Sequence, residues 1–333
     1  MEHRSGSGAS ELRLRAGEWV EVRSEAEILL SLDENGCLDN LPFMPEMLKY
    51  CGKRLRVQKS AHKTCDTIHN YRTRGMSNAV HLEGVRCDGS AHGACQALCL
   101  IFWKEAWLKR VTAGGDTPGE AQFTHTSAQA SGDASAEGLA RYACYNVVKN
   151  GATETRYRCQ TTDLLKATKP LDWHDPRHYW RDLTSGNVGI FTFIRYVGLA
   201  ALRVLIRRVT GNSAYPYVPG LAQGEVKESR LNLQPGETVK IKPVNEIYQT
   251  LDQRRKTRGL SYDVEMEPFS GQRAKVLTRI ERIIDERSGK MLKLNSDCIV
   301  LDDVYCGGCQ SRNRLFCPRA IYPYWREQWL ERT

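Results

Sequence analysis

Residues 17–57, GEWVEVRSEAEILLSLDENGCLDNLPFMPEMLKYCGKRLRV, return 219 positions later as residues 236–276, GETVKIKPVNEIYQTLDQRRKTRGLSYDVEMEPFSGQRAKV. The alignment runs without a gap from Gly17/Gly236 to Cys87/Cys306, and 18 of its 71 positions are identical, among them Glu27/Glu246, Asp33/Asp252, Met47/Met266, Val57/Val276 and Leu82/Leu301. After a three-residue adjustment it resumes, with Trp103, Glu105, Trp107, Leu108 and Arg110 matching Trp325, Glu327, Trp329, Leu330 and Arg332. At that shift Cys95 falls on Cys317. An internal repeat of this length predicts two related modules.

Within one copy, residues 19–23 (WVEVR) and their counterpart 238–242 (TVKIK) alternate apolar and polar side chains, as a half-buried strand does. Residues 25–32 and 244–251 have helical spacing. Residues 52–57 and 79–85 read as further short strands. Residues 95–111 (CQALCLIFWKEAWLKRV) read as a closing helix with Phe102, Trp103 and Trp107 on its apolar side.

Short strands opening on Gly-x-x-Val-x-Val (Gly17, Val20, Val22) resemble the start of the small SH3-like or KOW-type barrels. The resemblance covers the first strand or two of each copy. It implies an α+β chain of two duplicated β-barrel-like modules, each closed by a C-terminal helix. Residues 1–15 then form a flexible tail and 16–111 the first module. Residues 112–136, rich in Gly, Ser, Thr and Ala, read as a linker, and 211–235 as a second one. Residues 236–333 form the second module.

The middle segment, 137–210, has 12 Lys+Arg against 6 Asp+Glu and reads as mainly helical, with a helix start at Asp175-Pro176 and Thr161 or Thr162 capping residues 163–167. Residues 188–209 are its most apolar stretch. Arg195 and Arg203 interrupt them, so a membrane span is not expected. Arg195, Arg203 and Arg207 share one helical face, which predicts an amphipathic helix packed on the core, with membrane-surface binding as the alternative.

The 333 residues carry a net charge of +9 and 12 cysteines. The N-terminus has no apolar leader run, so a cytoplasmic protein with reduced thiols is expected. Clustered thiols in that setting point to metal ligands. Cys87, Cys95 and Cys99 form C-x7-C-x3-C in copy one; Cys306, Cys309 and Cys317 form C-x2-C-x7-C in copy two. Read as a helix, the segment after Cys95 would put the Cys95 and Cys99 sulfurs on one face, at a helix start that favours thiolate.

Four ligands are needed for structural zinc, and Cys65 or His92 could complete copy one and Cys298 copy two. An iron–sulfur cluster uses the same thiolates, and with three per copy Cys159, Cys144 or His92 could be the fourth. The copies could also pool ligands about a pseudo-twofold axis. Zinc and iron–sulfur both stay open at this point, as do an electron-transfer, catalytic or enzyme-accessory role and an unknown protein or small-molecule partner.

His174, His178 and Asp182 form a weaker candidate ligand group. A different reading is a non-catalytic, zinc-stabilised scaffold or nucleic-acid-binding protein, contacting phosphates and bases through residues 156–158 and 177–181 of the basic middle segment.

Overall fold

The structure, a computed structural model, describes residues 12–69, 72–111, 136–149, 151–172, 174–210, 219–224 and 230–333. The first expected linker and most of the second lie outside the described residues, as do residues 1–11 of the expected tail.

Copy one contains β1 (Trp19–Val22), α1 (Glu25–Leu29), β2 (Arg54–Ser60), β3 (Lys63–Cys65), β4 (Thr73–Gly75), β5 (Ala79–Leu82), β6 (Trp103–Lys104) and β7 (Leu108–Arg110). The middle contributes α2 (Ala136–Ala143), β8 (Cys144–Lys149), β9 (Ala152–Tyr157), α3 (Leu164–Ala167), α4 (Pro176–Thr184) and α5 (Ile190–Thr210). Copy two repeats the first set as β10 (Thr238–Ile241), α6 (Val244–Tyr248), β11 (Arg273–Arg279), β12 (Arg282–Ile284), β13 (Met291–Lys293), β14 (Ile299–Leu301) and β15 (Leu330–Arg332).

The first sheet is antiparallel and open, in the order β6-β5-β2-β1-β7, and the second runs β14-β11-β10-β15. The SH3/KOW-type barrel expectation is therefore overturned: the fold is α+β with several small antiparallel sheets, none closed into a barrel. The edge strands β6 and β7 have two and three residues and do not pair with each other, so closure fails.

The closing helix is also overturned. Residues 95–102 are irregular, with Leu98 (φ 50°) and the preceding Ala94 (φ 57°) in the left-handed region, where a helix cannot continue. A 3-10 turn, Glu105–Trp107, then joins β6 to β7. Trp103 and Trp107 still share the core, because a strand–turn–strand also brings positions four apart to one side.

The two copies keep one register. Trp19 pairs with Arg56 and Thr238 with Lys275; Val20 pairs with Arg110 and Val239 with Arg332. Even the irregularity recurs, between Val57 and Lys59 in copy one and between Val276 and Thr278 in copy two. Val20, Val57, Leu82, Trp103 and Trp107 are buried in the first core and Val239, Val276, Leu301, Trp325 and Trp329 in the second. The repeat also starts earlier than Gly17. The backbone N–H groups of Arg13 and Leu14 donate to the Glu105 carboxylate (2.8 and 3.0 Å), as those of Leu231, Asn232 and Leu233 do to Glu327 (2.7, 3.0 and 2.9 Å).

The middle segment is less helical than expected, since β8 and β9 form a hairpin. Asp175 caps α4 by accepting from the Arg177 N–H, as the Asp-Pro pair predicts. Before α3 the capping position is Asp163, and the Thr162 hydroxyl donates instead to the Cys159 carbonyl (2.9 Å). α5 lies on the surface, with none of its residues buried and Phe191 86% exposed, so the core-helix expectation fails too. Its inner side touches copy two through Phe193 stacked on Phe316 (5.4 Å) and Arg203 donating to the Gln310 carbonyl (2.9 Å). No described helix is long and apolar enough to cross a membrane.

The copies meet about a pseudo-twofold axis. Thr67 hydrogen-bonds Glu286, and Arg287 Nη2 donates to the Ile68 carbonyl (2.8 Å). Both pairs join positions 219 apart, so each residue touches the region of its own counterpart. Around this axis the copies exchange hairpins. The β12–β13 hairpin of copy two meets the cysteine loop of copy one, where Gln96 N–H donates to the Arg282 carbonyl (3.1 Å). Reciprocally, Thr73 in the β3–β4 hairpin donates to the Asn313 carbonyl in the cysteine loop of copy two (2.7 Å).

Candidate metal centre

β5 delivers the chain to Cys87 and β6 carries it away, and between them the cysteine loop folds back on itself. Gly89 makes this possible. It stands at φ +71°, and a Cβ there would lie 2.1 Å from the Cys95 carbonyl oxygen. Only glycine fits so close an approach in that conformation. Its counterpart Gly308, at φ +64° and with its would-be Cβ 2.7 Å from the Cys317 N, performs the same task in copy two.

In copy one the fold gathers Cys87, Cys95, Cys99 and Cys159 around one cavity of about 40 Å³. Cys159 comes from the middle segment, just after β9, and its thiol lies 3.1 Å from the Thr161 hydroxyl. His92 lines the same cavity. Burial pushes the Cys87, Cys99 and Cys159 thiols up. For Cys87 the Glu46 carboxylate adds to the shift, the thiol donating to Oε1 at 2.8 Å. His92 stands 2.9 Å from the same oxygen through Nδ1, while its Nε2 faces the Arg158 carbonyl (3.0 Å). Burial works against the Glu46 charge, but the His92 and Cys87 hydrogen bonds hold its carboxyl below the usual range. Among the described residues, Glu46, Cys87 and His92 are the one group of three whose ligand atoms all lie within 4.8 Å of one another. Glu46 gave no signal in the sequence beyond its identity with Glu265.

In copy two, Cys306 and Cys317 occupy the places of Cys87 and Cys95. Cys317 neighbours Cys65, which stands at the end of β3 across the pseudo-twofold axis. The Cys317 thiol beside it raises Cys65, with burial acting in the same direction, and Cys65 in turn lowers Cys317. Cys65 is thus turned away from copy one, whose ligand set it was a candidate to complete. Cys309 is apart from these, its thiol facing the Gly307 carbonyl (3.4 Å), and its backbone N–H donates to Glu265 (2.9 Å). Cys298 is buried with Ile280, Val300 and Tyr322, and Cys144 is exposed.

A larger cleft of about 600 Å³ opens between the copies, with Cys99 on one wall and Cys306, Arg314 and Arg319 on the other. Arg319 is buried, donates to the Cys65 carbonyl (3.2 Å) and pairs with Glu286 (2.9 Å).

His174 and His178 do not converge. His174 is exposed beside Asp172, whereas His178 and His62 surround Asp182, whose Oδ2 accepts from the buried Lys63 ammonium at 2.5 Å. Burial lowers the Lys63 amine, against the pull of Asp182. Burial and the neighbouring Lys63 bring His178 down to about 4. The Lys63 amine already stands at the carboxylate that a metal would need, and no motif in the sequence pointed to Lys63. Arg156, Arg158 and Arg177 are engaged with Glu154, Asp163 and Asp175. The chain matches no family model, no curated protein and no solved structure.

Proposed function

We propose that this is a metal–thiolate protein whose first centre is an iron–sulfur cluster held by Cys87, Cys95, Cys99 and Cys159. One observation carries the reading: four cysteines from two separate stretches of chain, the cysteine loop and the turn after β9, line a single cavity. Their spacing favours a cluster over a single ion. Zinc at about 2.3 Å from each sulfur would hold its thiolates about 3.8 Å apart, yet no three of these sulfurs lie within 4.8 Å of one another. A cluster body separates its ligands more widely. Burial disfavours the Cys87, Cys99 and Cys159 thiolates and a cationic centre reverses this, so binding and deprotonation go together. The walls, which include Met44, Leu100 and Ile101, would limit water and tune the potential of a redox centre.

The test is anaerobic reconstitution with ferrous iron and sulfide, followed by counting iron and acid-labile sulfide per chain. A brown protein that loses iron in Cys159→Ala supports the proposal. A colourless protein, or one in which Cys159→Ala keeps its full iron content, overturns it.

The Glu46, Cys87 and His92 group supports a second reading, a zinc ion on these three residues with an open fourth position. It predicts stoichiometric zinc that Glu46→Gln removes and Cys159→Ala does not.

A further inference from the structure

The outward side of α5 (Ile190–Thr210) is apolar where water would favour polar side chains. Ile190, Phe191, Ile194, Leu202, Leu205 and Val209 are each more than half exposed. At about 3.6 residues per turn they fall within an arc of about 120°. Gly198 and Ala201 lie in the same arc, so it is apolar along its length. The opposite side holds the helix to copy two, with Phe193 stacked on Phe316 and Arg203 donating to the Gln310 carbonyl. Soluble chains rarely leave a continuous apolar face of this length in water. Arg195 and Arg208 stand at the two borders of the arc, both exposed. Residues 183–210 hold four arginines and no Asp or Glu.

We propose that α5 is a membrane-surface helix, which lays this face into the headgroup boundary of a bilayer rich in anionic lipid. The borders supply charge complementarity. Long arginine side chains reach from a half-sunk helix to lipid phosphates on either side of it, and the net charge of +9 draws the chain to such a surface. The helix lies along the bilayer instead of crossing it, because a crossing would place Arg195 and Arg203 in hydrocarbon and the contacts with copy two hold its inner side. Two other occupants fit less well. A second copy of α5 would bring four arginines against four, with no acid to answer them. Residues 1–11 and 112–135 of this chain hold one methionine and one phenylalanine as their large apolar residues, too few to cover the arc. Surface binding of this kind needs nothing from the metal centre.

The experiment is sedimentation of the full chain with vesicles of pure phosphatidylglycerol and, separately, of pure phosphatidylcholine. Wild type should bind the first, be released as salt screens the arginines, and bind the second more weakly by about tenfold or more. Phe191→Ser/Leu205→Ser should lower the partition coefficient on phosphatidylglycerol by about tenfold or more, since two apolar side chains no longer leave water. Arg195→Gln/Arg208→Gln should lower it by about fivefold per arginine. Both variants leave the core untouched. Urea unfolding identifies a variant that has not folded, and the other variant then decides.

Wild type that does not sediment with phosphatidylglycerol would overturn the proposal and leave an acidic protein surface as the occupant. Binding that Phe191→Ser/Leu205→Ser leaves unchanged would also overturn it, since the contact would then lie elsewhere on the basic chain. Equal binding to the two lipids, or no effect of Arg195→Gln/Arg208→Gln, would overturn the role of the arginines. Analytical ultracentrifugation without vesicles covers the remaining case: a dimer that Phe191→Ser/Leu205→Ser converts to monomer would assign the face to a second copy and overturn the membrane site.

Discussion

His81 shows how much one buried residue can decide. Its Nδ1 faces the Ile101 carbonyl (2.9 Å), its ring packs on Phe102 (4.5 Å between centroids), and Nε2 is buried without a partner. Protonation would bury a charge beside that unpaired nitrogen, so burial lowers its pKa from 6.5 to about 3. The depressed pKa makes the unfolded chain the stronger proton binder between these values. His81 therefore contributes stability that is fully present above about pH 6.5 and is lost as pH falls toward 3, at up to ~1.4 kcal/mol per pH unit. Urea unfolding of wild type and His81→Gln between pH 7 and 4 checks this; equal slopes for the two proteins would reject it.

The glycines of the cysteine loops make a second residue-scale case. Gly84 and Gly89 both have positive φ, but a Cβ at Gly84 meets nothing within 4 Å. Gly84→Ala should cost ~1 kcal/mol from the left-handed backbone alone. Gly89→Ala adds a collision with the Cys95 backbone, which is expected to cost ~2 kcal/mol or more and to lower bound iron, readable as melting temperature and metal content. Equal melting temperatures for the two variants would contradict the tight loop.

Elements were legible where one side chain pattern has one solution. Residues 19–22 alternate, and they are β1, with Val20 and Val22 buried and Trp19 exposed. The stretch 95–111 has two solutions, because Trp103 and Trp107 can reach a common core from a helix or from a strand and a 3-10 turn. Left-handed backbone at two non-glycine residues, Ala94 and Leu98, decided the second, and no propensity foretells it. α5 was misplaced for a different reason: its arginines mark a polar face, but both faces are rich in apolar residues, so periodicity does not say which one is covered. Its outward side chains should contribute little to folding. Phe191→Ser and Leu205→Ser are expected to change stability by no more than ~0.5 kcal/mol, whereas Trp107→Ala, in the first core, should cost ~3 to 5 kcal/mol. Chemical denaturation of the three variants measures the contrast.

At the scale of the whole molecule, the duplication was plain in the sequence and its consequence was not. Identity between copies names Cys87 and Cys306 as equivalents, yet Cys159, which joins the copy-one cavity, comes from the middle segment, and Cys65, which neighbours Cys317, comes from the opposite copy; both are placed by tertiary packing. Arg319 is central to that packing. It has no arginine counterpart, position 97 being alanine, and it reaches from copy two to three groups near the axis. Nη1 donates to the Cys65 carbonyl and to the Thr67 hydroxyl (2.8 Å), and Nη2 pairs with Glu286. Removing a buried partner leaves the other groups uncompensated, which typically costs ~3 to 5 kcal/mol. Arg319→Met, which keeps most of the apolar volume, should therefore lower the urea midpoint strongly, and Thr67→Ala by ~1 kcal/mol. Pairing each with Glu286→Gln gives a double-mutant cycle. Coupling of ~0.5 kcal/mol or more between Thr67 and Glu286 is expected if their contact holds the copies together. Additive effects would mean that the copies are held by other contacts around the axis.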